Sequence, residues 1–101
     1  GYANALHKFD AGRLDHDDLA RESVGFLSMM SEFSNQAAQT AVVLVAHELQ
    51  HVNADLNTVL PAIRQQLRSE HKNGQMAGRW RAHFAGEWPT PAIPRYPDTD
   101  N

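Results

Sequence analysis

The chain has no cysteine, which rules out disulfides, thiolate metal sites and a cysteine nucleophile, and leaves a reducing compartment open to it. A cytoplasmic location is the expectation. No run of 18 consecutive apolar residues occurs, so no membrane-spanning helix is expected. No basic segment followed by an apolar stretch opens the chain, so a signal peptide is not expected either, and Gly1 without an initiator methionine reads as a processed or trimmed start. Strand signals are missing as well: no useful period-two alternation appears, and no Asn-Gly sits between two strand-like segments. There is no phosphate-binding glycine loop, dinucleotide fingerprint or zinc-finger spacing, and Ser23, Ser28, Ser31 and Ser34 lack a G-x-S-x-G context. Conventional enzyme classes therefore find no support. Proline is absent before Pro61 and then crowds into positions 89, 91, 94 and 97.

What remains is a helical pattern. At 101 residues and 42% hydrophobic content the chain suffices for one modest core. We expect a single all-α domain over 1–87, with 1–13 as a flexible arm from which Leu6 and Phe9 dock, and 88–101 as an extended, Pro-rich tail. A first helix starts at Asp15, which caps free backbone N–H groups, and Asp17 and Asp18 follow in the first turn. Its apolar stripe is Leu19, Ala20, Val24, Phe26, Leu27, Met30 and Phe33. Residues 34–40 are polar and short; Ser34 or Asn35 serves as a cap, giving a tight helical hairpin.

From Val42 onward the apolar residues Val42, Val45, Leu49, Val52, Leu56, Val59 and Ile63 fall at alternating spacings of three and four, which predicts one long helix with a coiled-coil-like seam. Pro61 lies inside that run and predicts a kink or a break there. The helix should end near Lys72, before Asn73-Gly74, and a short third helix should carry Met76, Trp80 and Phe84. Two long amphipathic helices bury their stripes better in a four-helix arrangement than in one hairpin, so a homodimeric helical bundle is expected, with the Val42–Ile63 seam as its spine.

Within the seam helix, His47-Glu48-Leu49-Gln50-His51 spells H-E-x-x-H. Two histidines four apart share a helical face and can offer imidazole nitrogens to one Zn²⁺, with the glutamate as general base toward the bound water. Together with the apolar lead-in Val42–Ala46, the motif resembles the active-site helix of zincin metallopeptidases over about a dozen residues. The resemblance implies zinc as cofactor, His47 and His51 as ligands, Glu48 as base and Glu70 as the third ligand. Zincins present substrate along a sheet edge upstream of this helix, and no credible sheet precedes His47. At this His and Glu content the motif arises by chance in roughly one sequence in sixty. A seam facing the core also puts His47 at heptad position f and His51 at c, turned outward. In the same way Tyr96 to Asp100 is similar to the Y-x-x-x-D tail signal of the WXG-type secreted helical hairpins, but no W-x-G stands in residues 34–40.

Charge is unevenly placed around a net −3: residues 15–32 hold five acids and one base, residues 64–95 six bases and two acids. Complementary packing of these segments is the reading we favour. Nucleic-acid binding through the basic 64–95 region is the lesser alternative, because its cations are dispersed and the pI is near 6.0. The function expected is that of a small non-enzymatic protein–protein interaction module, a regulator, adaptor or assembly subunit acting as a homodimer and needing no cofactor. Trp88, Ile93, Arg95 and Tyr96 in the pre-extended tail are anchors of the kind found at binding hot spots. A zinc-binding protein or metallopeptidase is the alternative.

Overall fold

A computed structural model of the chain describes residues 1–70. The short third helix and the tail anchors Trp88, Ile93, Arg95 and Tyr96 lie outside the described residues, as does the basic region beyond Glu70. Among the described residues the fold is all-α, with α1 at Tyr2–Asp10, α2 at His16–Phe33, α3 at Asn35–His51 and α4 at Leu56–Glu70. No described helix is long and apolar enough to cross a membrane.

Each boundary has a local chemical cause. Asp15 takes extended backbone geometry, and its carboxylate accepts the Asp18 N–H at 2.8 Å, which starts α2 where the sequence predicts. Ser34 is extended too; it closes α2 and opens α3, with its hydroxyl oxygen accepting the Ala37 N–H at 2.9 Å. One residue thus serves both helices, and the expected tight hairpin is present. The segment 1–13 departs from expectation, since the residues read as a flexible arm form α1. Gly12, at φ 76, ends that helix: the Gly12 N–H donates to the Phe9 carbonyl and the Arg13 N–H to the Lys8 carbonyl, the paired bonds of a Schellman cap.

The same device corrects the long seam helix. Asn53 adopts φ 59, the Asn53 N–H donates to the Gln50 carbonyl, and the Ala54 N–H donates to the Leu49 carbonyl. Asparagine is among the few non-glycine residues that enter the left-handed region readily. Asp55 then restarts the chain. Its carbonyl accepts the Val59 N–H, and its carboxylate accepts from the Asn57 N–H and the Thr58 hydroxyl. The break therefore lies at residues 52–55 and not at Pro61, which sits exposed inside α4.

This turn sends α4 back against α2, the hub that touches all three other helices. Leu19, Leu27, Val42, Val45, Leu49, Val59, Ile63 and Leu67 are fully buried among one another's helices. The seam residues Val42, Val45, Leu49, Val52, Val59 and Ile63 are thereby buried, and Leu56 half-buried, inside a single chain. They form an internal core within one chain. Phe33, expected in the α2 core stripe, is 76% exposed.

The corner at Asn53 is open to test by substitution. Asn53→Gly should leave thermal stability unchanged or slightly raised, whereas Asn53→Val, whose β-branched side chain resists positive φ, should cost about 1–2 kcal/mol in chemical denaturation.

Candidate functional site

One residue anchors the start of α1 on α2 with both a ring and a hydroxyl. The Tyr2 ring stacks on Phe26, with centroids 5.0 Å apart at 15°, and its hydroxyl meets the Ser23 hydroxyl at 2.8 Å. Ser23 is fully buried on α2 and donates its own proton to the Leu19 carbonyl at 2.8 Å. Tyr2 is therefore the donor in the pair, and the buried serine is satisfied on both sides. Burial pushes the Tyr2 phenol up to about 12, and the Glu48 carboxylate adds to the rise.

With only nine residues, α1 spans about 14 Å, against about 27 Å for the eighteen of α2. It runs from Phe9, beside His16, to Tyr2, beside Phe26, and so leaves the last two turns of α2 uncovered. An open groove of about 570 Å³ lies between α1 and α3, with α2 contributing Phe26 and Met29. Phe26 and Met29 of α2 line it, facing Leu44 of α3 and Leu6 of α1. Met29 is 52% and Leu44 40% exposed. Phe33 continues the Phe26–Met29 row one turn further along α2 by helical spacing. Polar groups rim the groove: His7 and Asp10 from α1, Glu48 and His51 from α3.

The histidine–glutamate motif divides across this geometry. Glu48 is half-buried, and it and the exposed His51 line the groove; His47 is exposed and is not part of the lining. Glu70 ends α4, fourteen residues past its start at Leu56, roughly 20 Å of helix away from the corner that follows His51. Among the described residues no three histidine, aspartate or glutamate side chains come together as a metal-binding group, so His47, His51 and Glu70 do not form the three-ligand set that the zincin resemblance implies. The groove was not anticipated from the sequence. Its one advance sign was the apolar pair Val43 and Leu44, both 40% exposed, which stand beside the seam rather than in it.

Comparison with protein-family models, with curated proteins and with solved structures finds no match.

The raised Tyr2 pKa fixes a pH dependence. The folded state keeps the phenolic proton up to about 12, while the unfolded chain loses it near 10, so the folded state holds more protons between these values and stability falls as pH rises through them. Tyr2→Phe should remove that alkaline loss, worth up to roughly 2 kcal/mol by pH 12, and cost about 1 kcal/mol at neutral pH for the missing hydrogen bond. Urea denaturation of both proteins at pH 7, 10 and 11.5 measures the difference.

Proposed function

We propose that this chain is a small, non-enzymatic helical interaction module whose working face is the α1–α2–α3 groove, and that a second copy of the chain is its first partner. The observation that carries this reading is the apolar pair Phe26 and Met29 on α2, facing Leu44 on α3 in the groove, with Met29 and Leu44 exposed and Phe33 exposed further along α2. A row of large exposed apolar side chains with a polar rim is the usual composition of a protein-binding surface. An isologous pairing would lay these exposed side chains against their own symmetry mates and remove them from water. Glu48, His51, His7 and Asp10 then serve as the rim, where charged groups set register and orientation more than affinity. In the sequence of the tail, Trp88, Ile93, Arg95 and Tyr96 offer further anchors to another protein.

Sedimentation of the full chain tests this. The wild type should run as a dimer at tens of micromolar, whereas the double variant Met29→Glu, Leu44→Glu should run as a monomer with unchanged helical circular dichroism, both side chains being exposed. A wild type that stays monomeric at the highest attainable concentration rejects the second copy as partner.

A further inference from the structure

His16 is not part of the groove lining, yet three elements meet at its ring. It is the first residue of α2. Phe9 of α1 packs on it edge to face, with centroids 4.8 Å apart at 80°. The Asp55 backbone N–H, at the corner between α3 and α4, donates to His16 Nε2 at 3.1 Å. Two walls of the groove end here, since Asp10 of α1 and Val52 after α3 both line it. Phe9 adjoins the first, and Asp55 lies three residues past the second. One imidazole therefore joins the two walls at one end of the groove.

The joint depends on protonation state. A ring nitrogen accepts a hydrogen bond only while it carries no proton, so the Asp55 N–H selects the neutral imidazole with its proton on Nδ1. Protonation places a hydrogen on Nε2, and two N–H groups then point at each other. The bond is lost. The charged and titratable groups on the meeting elements are Asp15, Asp17 and Asp18 around the start of α2, with Arg21 held by Asp18 at 2.6 Å; Lys8 and Asp10 beside Phe9 on α1; His51 at the end of α3; and Asp55 itself before α4.

We infer that His16 is a protonation-controlled clip: neutral, it ties the α3–α4 corner to α2 and α1 and holds that end of the groove together; protonated, it releases the corner. The effect on partner binding rests on the interaction reading of the groove; the clip itself does not.

Amide spectra of the ¹⁵N-labelled full chain, recorded from pH 8 to pH 5, test it. The Asp55 amide proton should move upfield with the same midpoint as the His16 ring protons. Its solvent exchange, corrected for the intrinsic pH dependence, should quicken roughly five- to tenfold, as expected for one lost hydrogen bond. Amides at the far end of α4, such as Leu67, should stay fixed. In His16→Gln, whose carbonyl oxygen accepts at any pH, the Asp55 amide should stay fixed as well; should that variant fail to fold, the shared midpoint in the wild type still decides. An Asp55 amide that stays still while His16 titrates, or that moves equally in His16→Gln, overturns the clip. If Asp55 responds while Met29→Glu, Leu44→Glu self-associates like the wild type, the clip stands and the groove reading fails.

Discussion

The packing of this chain depends on one helix stopping at His51. A helix continuing through Ile63 would carry Val59, Ile63 and Leu67 straight on, well past the end of α2, at 1.5 Å for each residue. The left-handed Asn53 and the two bonds that return to the Gln50 and Leu49 carbonyls end it instead, satisfying carbonyls that a helix terminus otherwise leaves bare. Asp55 immediately supplies the acceptors that a new helix needs. As a result Val59, Ile63 and Leu67 return to α2 and become fully buried. At about 25 cal/mol for each Å² of apolar surface, burying each of these side chains contributes on the order of 2 kcal/mol. The reversal is what makes the core complete within one chain.

The groove follows the line along which α1 and α3, both seated on α2, stand apart from each other. Helix α2 has one face for α3, one for α4 and one for α1, but α1 is half its length. Tyr2 fixes where the cover ends, because its ring must lie on Phe26 while its hydroxyl reaches the buried Ser23. Met29 and Phe33 lie beyond that limit and stay open to solvent. Glu48 lies close enough to act on the same phenol, so the motif glutamate lies at the boundary between the covered and uncovered parts of this face.

Much of the architecture was legible, residue by residue. The helical class, the Asp15 start and the Ser34 turn could be read because a short polar side chain before an apolar-periodic run has few other uses. The outward placement of His47 and His51 followed from the seam they flank. The corner at Asn53 was hidden by its own regularity: Val52 and Leu56 are four apart, so the three-and-four spacing runs through the break without a change of phase. Asn53 and Asp55 were the available signs, an asparagine able to take positive φ and an aspartate able to cap. Pro61, where a kink or a break was expected, lies exposed within α4, and the helix break falls at Asn53 instead. Helix α1 is too short for a period to show, and its anchor is a tyrosine whose ring and hydroxyl act together. The groove needs three elements at once: Phe33 read as core, and Met29 and Leu44 stood outside the stripes that the spacing marked.

The single residue shared by α2 and α3 bears on how the chain finds this arrangement. A connection of one residue leaves almost no loop to order, so Ser34 brings the two longest helices together at little conformational entropy cost. Docking α4 on α2 is different, because the whole of α3 intervenes and must already be in place for the corner at Asn53 to aim it. The contacts that hold α4 thus form across the whole of α3, and separations of that kind slow folding. The α2–α3 pair is accordingly the natural first structure, and α4 the element whose arrival completes the core.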